Sequence, residues 1–203
     1  MNYLKVFKDK KILITGHTGF KGAWLTAWLK LLGAEIIGVS LDVVSNPSHF
    51  TEAKLDAGIK DLRIDIRDKS LIEEVALKEK PDFVFHLAAQ SLVRESYLNP
   101  VETWTTNLMG TLNVLEALRK IDKKCAAVII TSDKCYDNVE WPWGYKETDS
   151  LGGPDPYSSS KGAAELLIKS YLSSFFSSED CNVRIASARA GNVIGGGDWA
   201  KDR

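Results

Sequence analysis

The chain has 203 residues, 44% hydrophobic, 26% charged and 9% aromatic, which is the balance of a folded globular protein and excludes a disordered or fibrous one. Its 26 lysines and arginines face 27 acidic residues for a formal net charge of -1, so no net field draws it to nucleic acid or to an anionic membrane surface. The longest apolar runs, such as Ala126 to Ile130, are strand-sized, and Met1-Asn2-Tyr3-Leu4-Lys5 leads into further lysine instead of an apolar signal core, so neither secretion nor a membrane span is expected.

Ile12-Leu13-Ile14-Thr15 is a short apolar run that stops at Gly16, and an amphipathic stretch from about Phe20 to Leu32 ends at Gly33, a helix stop. Glu35 to Leu41 predicts a second strand. Leu62-Arg63-Ile64, a helix from about Asp68 to Lys78 and the strand Phe83-Val84-Phe85 repeat the alternation. Asn99 before Pro100 and Glu102 predicts a capped helix start, and Val101, Trp104, Leu108, Leu112, Leu115 and Leu118 carry one apolar stripe along a long helix. Next come a strand over Ala126 to Thr131, an irregular stretch from Cys135 to Pro156, a helix from about Tyr157 to Phe176 and a strand over Val183 to Ala188. Strands separated by helices imply an α/β fold with a parallel sheet.

Three cysteines, Cys125, Cys135 and Cys181, match neither a disulfide framework nor a zinc pattern, and a reducing cytoplasm is the expected location. His17, His49 and His86 have no cysteine or carboxylate at ligand spacing, so no metal is expected.

Gly16-His17-Thr18-Gly19-Phe20-Lys21-Gly22 spaces glycines as G-x-x-G-x-x-G between a strand and a helix, where bare backbone lets a pyrophosphate approach the helix N-terminus. A tight turn without a ligand is the plain alternative. Asp42 ends the second strand, where a carboxylate can accept from both adenosine ribose hydroxyls and repel a 2′-phosphate, favouring NAD over NADP; a merely solvated aspartate would look the same. Tyr157 and Lys161, four apart on a predicted helix, project from one face, and a phenol of ordinary pKa about 10 becomes a usable base when an ammonium stabilises its phenolate. Spacing alone does not separate this pair from a surface pair. Thr131-Ser132-Asp133-Lys134 sits at the carboxyl edge of the sheet, and Ser132, Asp133 and Lys134 converge there only if the strand has already ended.

The glycine turn from Thr15 to Gly22, the strand end His86-Leu87-Ala88-Ala89-Gln90, the Asn107 helix and Tyr157-Ser158-Ser159-Ser160-Lys161, in that order, resemble the extended short-chain dehydrogenase/reductase family. Within it, Thr131 to Tyr136, Trp141-Pro142-Trp143-Gly144-Tyr145 and Ala190 to Trp199 resemble the branch of CDP-glucose 4,6-dehydratases. The resemblance implies a Rossmann-like doubly wound sheet binding NAD through Gly16, His17, Thr18, Gly19, Phe20, Gly22 and Asp42. It also implies Asp65 and Ile66 at the adenine, and Leu87, Ala88 and Ala89 along the cofactor. Tyr157, with Lys161 and Ser132, would take the proton from a sugar C4 hydroxyl as hydride leaves for NAD. Asp133 as acid and Lys134 as base would expel water across C5 and C6, and the hydride would return to C6.

Relatives acting on dTDP-glucose carry a glutamate at the place of Lys134, which must be partly neutral to act as a base. Substrate contacts would fall to Ser132 and to Asn192 at the diphosphate of CDP-glucose. The helices Asn99 to Lys120 and Tyr157 to Phe176 would form a homodimer seam, a four-helix bundle. The resemblance spans only the N-terminal part of the family pattern, so the expectation is one NAD-binding domain over residues 1–203 without the family's substrate lobe. The rival readings are a UDP-N-acetylhexosamine dehydratase, a sugar-nucleotide epimerase and a non-catalytic NAD-binding remnant.

Overall fold

The structure is a computed structural model that describes residues 3–201; Met1 and Asn2, at the start of the segment read above as lacking a signal core, and Asp202 and Arg203 lie outside them. Six parallel strands form one sheet: β1 (Lys11–Thr15), β2 (Glu35–Ser40), β3 (Lys60–Arg63), β4 (Phe83–His86), β5 (Cys125–Ser132) and β6 (Val183–Ala190), in the order β3-β2-β1-β4-β5-β6. The order reverses between β1 and β4, which opens a crevice at their carboxyl ends, as in a doubly wound Rossmann sheet.

The two faces follow from the period of two along each strand. Parallel register aligns Ile37, Leu13, Val84 and Ala127 in one row across four strands. That row packs on α3 (Lys69–Glu79) through Ile72 and Val75, on α6 (Thr111–Arg119) through Leu115 and Leu118, and on α7 (Pro156–Phe175) through Ile168. Ile12, Ile14 and Ile36 point the other way and meet Leu29 of α1 (Phe20–Leu31). Gly33 ends α1 as expected, with φ at +80° and the Ala34 N–H reaching back to Leu29 O at 3.1 Å. A short helix α2 (His49–Glu52) follows β2.

The single long helix expected from Asn99 is three pieces. A helix α4 (Val93–Leu98) precedes it, and α5 (Pro100–Trp104) joins α6 through a π-helical turn at Thr105–Gly110. Asn99 makes no side-chain cap; its amide is bonded to the Glu95 carboxylate of the turn before. The wider π turn shifts the helical phase, so the predicted stripe divides: Leu115 and Leu118 are buried, whereas Val101 is 75% exposed. Among the described residues no helix is long and apolar enough to cross a membrane, and no group of His, Cys, Asp or Glu is placed to hold a metal ion.

One polar tie fastens this helix to the loop after β3. The Asn113 amide donates to the carbonyls of Ile66 and Arg67, both at 3.0 Å. Replacing it by leucine leaves these carbonyls without their donor, at a cost of about 1–3 kcal/mol. Urea unfolding of Asn113→Leu is expected to show this as a lower midpoint with an unchanged slope.

Candidate active site

The crevice is a cavity of about 630 Å³ whose walls come from the glycine turn, the carboxyl ends of β2, β4, β5 and β6, and the start of α7. Gly16 has φ at +79°, and a Cβ there would meet Ala88 N at 2.6 Å; a Cβ on Gly22 would sit 2.0 Å from Gly16 O. Only glycine permits this packing. It brings the start of α1 to the cavity with no side-chain cap and no acid in its first turn, so backbone donors and the positive end of the helix face the space. Such a cradle fits the diphosphate of a dinucleotide. The Thr18 hydroxyl, donating to Ser40 Oγ at 2.9 Å, ties the loop to the end of β2.

Every residue expected at the site lines this cavity except one. Gly16, Thr18, Gly19, Phe20 and Gly22 form one end. Asp42 is 93% exposed at the rim, 3.5 Å from the Arg63 guanidinium. Asp65 is held below the usual carboxylate range by its hydrogen bonds from Arg67, and Ile66 beside it is buried. Leu87, Ala88, Ala89 and Asn192 also line the cavity.

The exception is His17, whose side chain is fully buried beneath the loop. Its Nε2 lies 2.9 Å from Asp61 Oδ1, and its ring is edge-on to Phe50. Burial lowers its pKa, and Asp61 offsets part of that. The turn at Gly16 directs this imidazole into the space left over β2 by Gly38, so it props the loop from below and its side chain does not line the cavity.

The strand β5 does end at Ser132, and Asp133–Cys135 form a 3-10 turn. The Ser132 hydroxyl donates to Asp133 Oδ1 at 3.0 Å and accepts the Lys134 N–H at 3.2 Å, while Lys134 Nζ lies 3.7 Å from Asp133 Oδ1. Tyr157 and Lys161, both buried, enter the same cavity from the first turns of α7, which Asp155 caps by accepting the Ser158 N–H. Loss of hydration, with the Lys21 ammonium second, pushes Lys161 down to about 8. The ammonium is therefore poised to share its proton near neutral pH.

Two supporting groups, Asn107 and His86, stand in the segments that carry the family resemblance, but their partners could not be read from the sequence. Asn107, in the π turn, donates to Gln90 O at 3.0 Å and Ser160 Oγ at 2.9 Å, and accepts the Gln90 N–H at 2.8 Å, locking the floor to α7. His86 lies between Thr15 Oγ1 at 2.6 Å and Thr111 Oγ1 at 3.0 Å. Because Thr111 donates to Asn107 O, its oxygen accepts from His86 Nε2, which assigns the neutral Nε2–H tautomer.

Burial pushes His86 from 6.5 down to about 3. The unfolded chain takes up this proton below its ordinary pKa and the folded chain does not, so stability is full above about 6.5 and falls as pH drops toward about 3. The slope expected is up to about 1.4 kcal/mol per pH unit. Unfolding measured between these limits should lose that component in His86→Gln.

A doubly wound sheet with a glycine turn and a buried tyrosine–lysine pair at its carboxyl edge defines a short-chain dehydrogenase/reductase. The family model described as GDP-mannose 4,6 dehydratase matches residues 13–187, and the chain belongs to that family. It is 50% identical over 200 residues to the CDP-glucose 4,6-dehydratase of Salmonella typhimurium, covering 97% of this chain and 56% of that protein. An epimerase from Methanothermobacter thermautotrophicus superposes with a TM-score of 0.83 at 28% identity, covering 98% of this chain and 56% of the other. The UDP-glucose 4-epimerase of Thermus thermophilus, solved with NAD, gives 0.77 at 29% identity over 91% of this chain and 56% of its own. The chain thus spans little more than half the length of these relatives.

Proposed function

We propose that the chain carries the cofactor-binding and catalytic half of an NAD-dependent nucleotide-sugar 4,6-dehydratase, with CDP-glucose as substrate and CDP-4-keto-6-deoxyglucose and water as products. The observation that carries this reading is the meeting of two proton-transfer pairs in one cavity, Tyr157 with Lys161 and Asp133 with Lys134. An epimerase needs only the first pair, since it removes and returns hydride at one carbon; expelling water across C5 and C6 needs an acid and a base beside it. Half identity to a CDP-glucose 4,6-dehydratase points the same way.

The glycine turn, Asp42, Asp65 and Ile66 would hold NAD, which when bound would accept the hydride from C4 and give it back at C6, so that no net oxidation results. Tyr157 receives the proton of the C4 hydroxyl, and Lys161, easily discharged, stabilises the phenolate and relays the proton. Ser132, at the head of the turn, redirects its one hydroxyl proton from Asp133 Oδ1 to the same sugar oxygen when substrate binds. The resulting ketone acidifies the C5 hydrogen, which Lys134 removes in its neutral form while Asp133 protonates the departing C6 hydroxyl. One proton shared between Asp133 and Lys134 serves both tasks. Asn192 faces the diphosphate of the substrate.

Incubation with CDP-glucose, dTDP-glucose and UDP-sugars, followed by the ultraviolet band of a 4-keto sugar in alkali, tests the reading. Signal is expected with CDP-glucose, and silence with every substrate would support a non-catalytic remnant. Tyr157→Phe is expected to slow hydride removal by about 100-fold or more. Lys134→Ala should still remove the C4 hydride yet release no 4-keto-6-deoxy product; normal product from that variant would take Lys134 out of the mechanism.

The reading includes a homodimer through α5, α6 and α7. Exposed apolar side chains on these helices and the π turn between α5 and α6, Val101 at 75%, Leu166 at 57% and Met109 at 46%, support it. Sedimentation is expected to give a dimer for the unaltered chain and a monomer for Leu166→Glu.

A further inference from the structure

Beside the cavity lies an ion pair between a buried glutamate and a partly buried arginine that none of the steps above uses. Glu165, one helical turn beyond Lys161 on α7, is 4% exposed. Its Oε1 accepts from the Thr131 hydroxyl of β5, and its Oε2 accepts from Arg189 at 2.9 Å and from Ser187 at 3.2 Å, both on β6. The carboxylate is thus satisfied from two strands. The Arg189 guanidinium continues outward, its carbon 4.8 Å from the centre of the Tyr136 ring. Tyr136 directly follows the 3-10 turn that bears Asp133 and Lys134, and its ring stacks in turn on Tyr145 at 5.2 Å.

The turn rests on α7 with no space between them. A Cβ on Gly162, the residue after Lys161, would lie 3.3 Å from Cys135 O and 3.1 Å from Gly152 N, and the Gly152 N–H donates to Cys135 O at 2.8 Å. Contact this close needs something to press the turn down. The helix supplies Glu165, the sheet supplies Arg189, and the turn supplies the ring that the guanidinium covers.

We infer that Glu165 and Arg189 are positioning residues: their ion pair, capped by Tyr136, clamps the turn carrying Asp133 and Lys134 against the helix carrying Tyr157 and Lys161. The clamp fixes the spacing between the group that acts at C4 and the groups that act at C5 and C6. The guanidinium also consumes the charge of Glu165, so this carboxylate does not hold Lys161 as a tight ion-pair partner. Lysine at position 189 keeps a charge for Glu165 but cannot present a planar face to Tyr136 while bonding in the plane. The functional consequence rests on the reading proposed above; the clamp itself does not.

Cys135 reports on the clamp directly. It lies fully buried in the turn, and burial pushes its thiol up to about 11, so alkylation requires the turn to lift. Cys125, buried at the start of β5 and pushed up to about 12, reports on global unfolding in the same sample.

Iodoacetamide labelling, mapped by peptide mass, is compared among the unaltered chain, Arg189→Met, Arg189→Lys and Glu165→Gln. Labelling of Cys135 is expected to accelerate by at least about tenfold in Arg189→Met with Cys125 unchanged, and to stay partly raised in Arg189→Lys. Glu165→Gln, which keeps size while discharging the partner, makes the same comparison if Arg189→Met does not fold. With CDP-glucose, the absorbance of reduced dinucleotide should accumulate while dehydrated product falls by about 100-fold, the cost of a misplacement near 1 Å.

Cys135 protection equal to that of the unaltered chain in a folded variant would overturn the clamp. Hydride removal and dehydration falling together would overturn its role in spacing the two pairs. Absence of hydride removal in the unaltered chain would instead count against the proposed function, and the labelling would still decide on the clamp.

Discussion

Backbone packs directly on backbone where the turn after β1 passes under the first turn of α1 and beside the end of β4. Gly22 faces Gly16 O, and Gly16 faces the Ala88 amide, at distances that leave no volume for a side chain. Because α1 is held there, its N-terminus opens onto the crevice instead of onto neighbouring side chains. The reversal of strand order places that crevice between β1 and β4, and His17, wedged over Gly38, holds the loop from beneath. The cavity exists because these three contacts agree.

Two lysines of the cavity, Lys21 and Lys161, act on each other. Lys161 is stripped of water and lies within range of Lys21, and both effects weaken its hold on a proton. The nearest buried carboxylate, Glu165, is occupied by Arg189 and by two hydroxyls. Asp133 and Lys134, by contrast, face each other at 3.7 Å on the more open side, each about half exposed. A dry pair and a wetter pair thus give one cavity two distinct environments.

Positional restraint in this fold comes from side chains far apart in sequence. Asn107 reaches from a π turn to the floor after β4 and to Ser160 on α7, and His86 bridges Thr15 and Thr111. The π turn is part of this: a regular helix would carry Asn107 out of phase with Gln90 and Ser160. Extra backbone width at a polar position is therefore spent on holding the site, and the cost appears elsewhere, as Val101 and its neighbours facing outward.

Much of this was legible in the chain order of residues alone. Strand runs bounded by glycine, the G-x-x-G-x-x-G turn, the Tyr157–Lys161 spacing and the Ser132-Asp133-Lys134 cluster each follow from local periodicity and local sterics, which act over a few residues. The same locality explains what could not be read. The side-chain direction of His17, the phase break at Asn107, the turn of Asn99 toward Glu95 and the Glu165–Arg189–Tyr136 stack all depend on which atoms from distant segments arrive at the same place. Sequence determined that the glycine turn, the Tyr157–Lys161 pair and the Ser132-Asp133-Lys134 cluster would stand at one sheet edge; only packing decided which polar groups line the cavity and which are consumed in holding its wall, because buried donors and acceptors must find partners wherever the fold brings them.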